Sequence, residues 1–275
     1  QGAGLGWASV SGSPQRAQAH SSQSLVRRSG VRWHVRQFSR ASRPYSRSVA
    51  VWPVNRDQGI EMKVTTRAQK KVVVLHSGGL DSTVCLLLAM QRGHRVISLG
   101  VSYNQHHQVE LDYANAQCQR FGVERKIVSV AWTKPVREIP TDRTVDEIRA
   151  QASPAFLPGR NGLFLMLAAA EAAGSGAVEV WTGINSVDFS GYPDCKPEFV
   201  KSFQEMLRFA IPKGPKLVAP LQLKTKPQIA KIAKGFGVEK HDTWSCYRPK
   251  ITSTGFSPCG KCDACKLHEF AWHGQ

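Results

Sequence analysis

The hexapeptide SGGLDS at residues 77–82 directly follows an apolar run that ends at Leu75. Residues 83–90 are apolar enough for a buried helix, so the segment predicts strand, glycine turn and helix. Two glycines allow a sharp turn whose N–H groups point inward, and a helix that begins at about Asp81 adds its positive end. The segment therefore predicts a cradle for a nucleotide phosphate.

The hydroxyl groups of Ser77, Ser82 and Thr83 offer further donors to such an anion. The loop lacks the Gly-Lys-Ser/Thr ending that holds β- and γ-phosphates for γ-transfer. It resembles the SGGxDS signature of the PP-loop ATP pyrophosphatases, which implies cleavage between the α- and β-phosphates, an adenylylated intermediate and release of pyrophosphate. The alternative is an ordinary glycine turn that joins a core strand to a core helix.

Apolar runs alternate with helical patterns from Lys71 onward. We expect strands at 72–75, 95–101, 126–130, 177–182 and 217–219, and helices at 81–92, 108–120, 161–173, 197–209 and 227–236. The polar stretch 133–158, with a short helix at 145–151, is typical of a lid or binding loop. This alternation predicts an α/β fold with an open, doubly wound parallel sheet and the cradle at the carboxyl end of its first strand.

Composition excludes some classes of protein and leaves others open. With 41% hydrophobic residues, 275 residues suffice for a buried core, and no apolar stretch approaches the roughly 20 residues that cross a bilayer. The net charge is +17, of which residues 1–61 carry +7 and the remainder +10. The basic body suits ATP or a nucleic acid equally, so charge does not choose between these ligands.

Residues 1–61 contain nine arginines and no lysine, with much Ser, Gly and Ala. This composition cannot build a core, and it fits either an organellar transit peptide or an upstream extension absent from the working protein, which would then start at Met62. We expect a disordered, dispensable extension at 1–61, an ATP-binding α/β domain at 62–240 and a C-terminal metal element at 241–275. The expected location is cytoplasmic, or organellar if residues 1–61 act as a targeting signal.

Four cysteines near the C-terminus, Cys246, Cys259, Cys262 and Cys265, have the spacing C-x12-C-x2-C-x2-C. Four thiolates suit tetrahedral Zn²⁺ and leave no open position for water, so we expect a structural zinc site. An iron–sulfur cluster is the alternative. His241 and His268 flank the cysteines and are expected to be ordinary surface histidines.

Further segments point to one family among the PP-loop ATP pyrophosphatases. These are residues 103–110, 158–161 and 188–195, and the terminal cysteines with Tyr247. Over about residues 71–270 the chain resembles the 7-cyano-7-deazaguanine synthase family of queuosine-precursor biosynthesis, whose fold is Rossmann-like, of the adenine nucleotide alpha hydrolase type. One departure is YNQHH at 103–107, where the family commonly has Tyr-Gly-Gln-Arg-His. The lost arginine removes a bidentate phosphate ligand.

This resemblance implies that ATP activates 7-carboxy-7-deazaguanine by adenylylation and that ammonia displaces AMP to give an amide. A second activation by ATP then removes the amide oxygen and leaves the nitrile. The cofactors implied are ATP, Mg²⁺ and Zn²⁺, and the expected partners are the two small substrates and a second copy of the chain in a homodimer, without nucleic acid.

The same resemblance assigns residues to roles. ATP would be bound by the stretch from His76 to Leu86, namely His76, Ser77, Gly78, Gly79, Leu80, Asp81, Ser82, Thr83, Val84, Cys85 and Leu86. Ser77, Asp81, Ser82, Arg160 and Lys226 would act in catalysis, and Asp188, Tyr192 and Asp194 would bind the heterocycle. Each has a plainer alternative: a helix N-terminal carboxylate for Asp81, solvated surface cations for Arg160 and Lys226, and a polar turn for 188–194.

Two competing functions use the same loop. A tRNA thiolase or lysidine synthetase of the same superfamily would adenylylate RNA instead, and it differs at residues 188–195. A nucleotide-binding sensor or scaffold would release no pyrophosphate with any acid.

Overall fold

Five parallel strands form one sheet in the order β3-β2-β1-β4-β5. The strands are β1 (Lys71–Leu75), β2 (Arg95–Ser102), β3 (Glu124–Ser129), β4 (Glu179–Trp181) and β5 (Lys216–Val218). The computed structural model describes residues 69–103, 109–131, 139–151, 156–185, 192–253 and 255–274. The predicted parallel α/β sheet is confirmed.

Seven α-helices are described: α1 (Leu80–Gln91), α2 (Val109–Phe121), α3 (Val145–Ala150), α4 (Arg160–Ser175), α5 (Pro197–Ala210), α6 (Lys226–Gly235) and α7 (Asp263–His273). Two short 3-10 turns lie at Pro193–Cys195 and Lys240–Asp242. A hairpin of β6 (Lys250–Thr252) and β7 (Gly255–Ser257) separates Cys246 from the other three cysteines. None of the described helices is long and apolar enough to cross a membrane.

The alternating side chains of β1 divide the core into two layers. Val72 and Val74 pack with apolar residues of α1, α6 and α7 on one face, and Val73 packs with those of α4 and α5 on the other. All three valines are 0% exposed, as the period of two requires for a central strand with helices on both sides. The doubly wound arrangement predicted from the sequence is therefore confirmed.

Strand β1 pairs with β2 on one side and with β4 on the other. The chain therefore reverses its direction of winding at β1, and this is the position where open α/β sheets form a ligand crevice at the carboxyl ends of their strands. The loop at residues 76–79 and the segment 182–185 both leave the sheet at this edge.

The main differences from the predicted elements lie at β4 and at the C-terminus. Ala177 donates its N–H to Ala172 O at 2.8 Å, closing the end of α4, so β4 begins two residues later than expected. Helix α7 is not among the predicted elements, because the C-terminal region was interpreted only from the spacing of its cysteines. Ala271 and Trp272 of α7 pack in the same core layer as Val72. The predicted extension at 1–61 lies outside the described residues.

Candidate active site

The loop between β1 and α1 turns sharply at Gly78, where φ is +89°. A Cβ atom at Gly78 would lie 2.5 Å from Glu110 O and 2.7 Å from Ala114 N. Both the backbone conformation and the close approach of α2 therefore require glycine. The segment after α6 also contacts this turn, since Trp244 donates its N–H to Gly78 O at 3.1 Å.

Helix α1 begins without a side-chain cap, because its N-cap residue is Gly79. The N–H groups of a first helical turn have no partner within the helix, and the positive end of the helix dipole lies beside them. Ser82 Oγ donates to Gly79 O at 3.1 Å and accepts the Ser77 N–H at 3.2 Å. Ser77 itself is exposed. This arrangement can bind an anion.

The second half of the predicted nucleotide-binding stretch faces the core. The side chains of Thr83, Val84, Cys85 and Leu86 are all 0% exposed. Thr83 Oγ1 lies 2.8 Å from Gly79 O and 3.0 Å from Gln117 Oε1, so it supports the loop from behind. The structure does not bring these four side chains to the cavity, whereas His76, Ser77, Gly79, Leu80, Asp81 and Ser82 line it.

A buried polar network holds the loop from the side of α2. Gln117 Nε2 donates to Gly78 O at 3.3 Å and to Asp242 O at 2.7 Å, and Gln117 Oε1 lies 2.7 Å from His76 Nε2. His76 Nδ1 lies 2.9 Å from Ser98 Oγ. Burial, together with the charge of Arg125, lowers the pKa of His76 to about 3, so the imidazole is neutral. No sequence pattern pointed to Gln117.

The loop opens onto a cavity of about 350 Å³. Lys226, the first residue of α6, contacts Asp81 Oδ2 through its ammonium group. Asp81 Oδ1 is buried and has no hydrogen-bond partner within the described residues. The structure therefore brings together two of the residues predicted to act in catalysis, Asp81 and Lys226, at the start of α1.

Arg160, the first residue of α4, forms a second charged cluster on the cavity wall with Glu110, Tyr103 and Tyr247. Burial acts to lower the pKa of Arg160, but the neighbouring Tyr103, Tyr247 and Glu110 outweigh burial and raise that pKa. Burial raises the pKa of Glu110 to about 7, against the opposing charge of Arg160. Burial likewise raises the pKa of both tyrosines.

The residues predicted to bind the heterocycle do not lie together in the structure. Tyr192 lines the cavity, and its ring stacks on that of Phe156 with centroids 5.1 Å apart. The Asp194 carboxylate instead accepts the Asn161 N–H at 3.4 Å at the start of α4, and Asp194 is only 7% exposed. Asp188 lies outside the described residues. The neighbouring Cys195 thiol has its pKa raised to about 11 by burial and by Asp194, which does not favour a nucleophile.

The expectation that His268 is a surface histidine is wrong. His268 lies on α7, lines the cavity, and accepts a hydrogen bond from Trp272 Nε1 at Nε2, 3.1 Å away. Burial and the charge of Lys240 lower its pKa to about 4. The reason is the unpredicted helix α7, whose apolar face carries His268 inward. The His241 side chain, by contrast, is 72% exposed, as expected.

The four C-terminal cysteines converge, with their sulfur atoms all within 4.8 Å of one another. The Cys259 and Cys265 sulfurs are 3.8 Å apart, and a tetrahedral ion with metal–sulfur bonds of about 2.3 Å needs an edge of about 3.8 Å. Backbone N–H groups of Arg248 and Cys259 donate to Cys246 Sγ at 3.3 and 3.2 Å. These donors stabilise thiolates, so the cluster could hold a metal ion.

Comparisons with known proteins agree with this geometry. The family model described as Queuosine biosynthesis protein QueC matches residues 71–275. The 7-cyano-7-deazaguanine synthase 2 of Rhodopseudomonas palustris (strain HaA2) is 54% identical over 205 residues, covering 74% of this chain and 98% of that protein. The 7-cyano-7-deazaguanine synthases of Novosphingobium aromaticivorans and Myxococcus xanthus are 42% and 39% identical, covering 71% and 73% of this chain and 86% and 91% of theirs.

These matches confirm the resemblance found in the sequence motifs, and they extend over the whole of the described sheet. The chain therefore belongs to the QueC family of queuosine biosynthesis proteins, and it is a carbon–nitrogen ligase.

Proposed function

We propose that this chain uses two molecules of ATP to convert 7-carboxy-7-deazaguanine and ammonia to 7-cyano-7-deazaguanine in queuosine-precursor biosynthesis. The observation that carries the proposal is the uncapped start of α1, which opens onto one cavity together with Arg160 and Lys226. N–H donors, a helix dipole and two cations that line the same cavity suit the phosphates of ATP.

The chemistry requires that each carboxylate oxygen become a leaving group. In the first step the carboxylate attacks the α-phosphate, the bond to the β-phosphate breaks, and pyrophosphate leaves. Ammonia then attacks the acyl carbon, AMP leaves with the first oxygen, and the nitrogen loses a proton. In the second round the amide oxygen attacks another α-phosphate, pyrophosphate leaves, and AMP departs with the second oxygen while the nitrogen loses its last two protons.

Residues of the cavity are assigned to these steps by position. Ser77, Ser82 and the first N–H groups of α1 hold the departing pyrophosphate. Lys226 and Arg160 neutralise the charge that develops on the phosphates, and the unpaired Oδ1 of Asp81 fits a carboxylate ligand for Mg²⁺. Mg²⁺ would supply further charge neutralisation at the phosphates.

The cysteine cluster has a structural role in this proposal. Zn²⁺ suits four thiolates, and full coordination by protein leaves no position for a reacting water. Cys262 and Cys265 stand at the start of α7, so the metal would fix the helix that carries His268 to the cavity. The proposal also includes a cytoplasmic homodimer that takes only small molecules as partners, and exposed apolar side chains such as Phe209 and Ile251 are available for an interface.

The test is to incubate the protein with ATP, Mg²⁺, ammonium and 7-carboxy-7-deazaguanine labelled with ¹⁸O in both carboxylate oxygens. Mass spectrometry should find the nitrile, pyrophosphate, and AMP that carries a single ¹⁸O in its phosphate, two such molecules for each nitrile. Unlabelled AMP, or ATP consumption that needs tRNA instead of the heterocycle, would refute the proposal. Absence of any pyrophosphate would favour a sensor.

A further inference from the structure

Two carboxylates line the described cavity, and they differ in their partners. Asp81 is engaged by the Lys226 ammonium. Glu110 receives no hydrogen bond from any described residue, and the charged group beside it is Arg160. Glu110 is half-buried, and a carboxylate that is partly withdrawn from water without donors is costly unless a ligand supplies them. We therefore expect the Glu110 carboxylate to bind a ligand that carries N–H groups.

The wall around Glu110 is aromatic. Tyr103 and Phe164 lie with ring centroids 5.2 Å apart, and Tyr192 and Tyr247 also line the cavity. Such rings accommodate the faces of a flat heterocycle. This end of the cavity therefore suits a ligand with a flat ring system and N–H donors on one edge, whereas the other end, at α1, suits phosphates.

We propose, building on the function given above, that Glu110 is the residue that selects the guanine-type edge of the substrate. Its two carboxylate oxygens accept the ring N1–H and one hydrogen of the 2-amino group. The 7-carboxylate lies on the five-membered ring, away from the 2-amino group, and is thereby directed toward the start of α1.

The position of Glu110 couples this recognition to the phosphate loop. Glu110 stands in the first turn of α2, and its carbonyl oxygen is the atom that a Cβ at Gly78 would strike. The first turn of α2 is therefore packed directly on the loop. Asp194, which the sequence had suggested for this role, has its carboxylate engaged at the start of α4.

The ionisation of Glu110 makes the proposal testable through the pH dependence of substrate binding. The groups that face it are Arg160 from α4, Tyr103 from the end of β2 and Tyr247 from the segment after Cys246. Burial raises its pKa to about 7, so part of the population is protonated in neutral solution. Because the N–H donors bind the ionised form, binding must release a proton and must strengthen as the pH rises through about 7.

The experiment measures binding by calorimetry, without ATP, for two probes: 7-carboxy-7-deazaguanine and the analogue that lacks the 2-amino group. We expect the parent protein to prefer the first probe by at least about tenfold, since a hydrogen bond to a charged group is lost with the second. Glu110→Gln should bind the first probe at least about tenfold more weakly, prefer it by less than about threefold, and release no proton. Asp112→Asn, which removes an exposed carboxylate from the same turn of α2, should behave as the parent.

Several results would overturn the inference. Glu110→Gln that keeps the full preference, or that binds normally and loses only turnover, would assign Glu110 to another role such as proton transfer. If Glu110→Gln does not fold, the parent protein decides alone: equal affinity for the two probes, or no dependence on pH near 7, would refute it. A parent protein that turns over the substrate but does not discriminate would refute this inference only, whereas a parent that binds neither probe would refute the proposed function as well.

Discussion

The ammonium group of Lys226 donates a hydrogen bond to the carboxylate of Asp81, although 145 positions separate them in sequence. The contact joins the first turn of α6 to the first turn of α1, so two helix N-termini meet at the cavity. A lysine beside positive helix ends is unfavourable by itself, and Asp81 offsets its charge. The pair therefore keeps a cation at the point where the phosphates of ATP are proposed to bind.

Replacing this lysine should slow chemistry without unfolding the protein. We expect Lys226→Gln to lower the rate of pyrophosphate release by about 10²–10³, the usual cost of one electrostatic contact to a developing charge. Lys231→Gln, which changes an exposed lysine of the same helix, should release pyrophosphate at the parental rate. A parental rate for Lys226→Gln in a pyrophosphate assay would remove the lysine from the mechanism.

The glycine turn makes a steric prediction. Gly78→Ala places a methyl group against Glu110 O and Ala114 N at a positive φ, so it should lower the free energy of unfolding by about 1–3 kcal/mol and abolish pyrophosphate release. Gly174→Ala, in α4 with no atom within 4 Å of the added methyl, should instead stabilise by about 0.5–1 kcal/mol. Urea unfolding measures both. Equal effects of the two substitutions would contradict the proposed close approach.

Buried His76 predicts a loss of stability in acid. Its pKa falls to about 3 in the folded state, so below pH about 6.5 the unfolded chain binds the proton that the folded protein excludes. The free energy of unfolding should be lower at pH 5.5 than at neutral pH by about 1 kcal/mol from this residue alone. Between neutral pH and pH 5.5, the free energy of unfolding of His76→Gln should fall by less than that of the parent. The variant His241→Gln, which changes an exposed histidine, should show the parental dependence on pH. The same slope in both variants would show that His76 is not the source.

The cysteine cluster predicts a bound metal with a structural role. We expect one zinc per chain by elemental analysis of anaerobically purified protein. Cys262→Ala, or removal of the metal by a chelator, should lower stability by at least about 2 kcal/mol, a fall in Tm of roughly 4–8 °C. Cys195→Ala, which removes a cysteine outside the cluster, should retain the zinc. Iron, or no metal, in the parent protein would contradict the assignment.

Features that depend on neighbours in the chain were predictable from the amino-acid sequence. The strand, glycine turn and helix at 71–91 follow from a run of valines, two glycines and an apolar helix pattern, and the structure has them at those positions. The order of strands and helices followed from periodicity in the same way. The convergence of four cysteines followed from their short spacing, because C-x2-C places two sulfurs near one point.

Only the tertiary structure decided which polar groups of the candidate site are engaged and which are free for a ligand. Asp194 and Glu110 are both acidic residues near the cavity, yet the Asp194 carboxylate accepts the Asn161 N–H at the start of α4, while Glu110 has no donor among the described residues. His268 reaches the cavity because α7 packs its apolar face into the core. The sequence records which groups are present, but the free energy of a buried charge depends on what distant elements bring to it, and that is set when α2, α4, α6 and α7 pack around the loop.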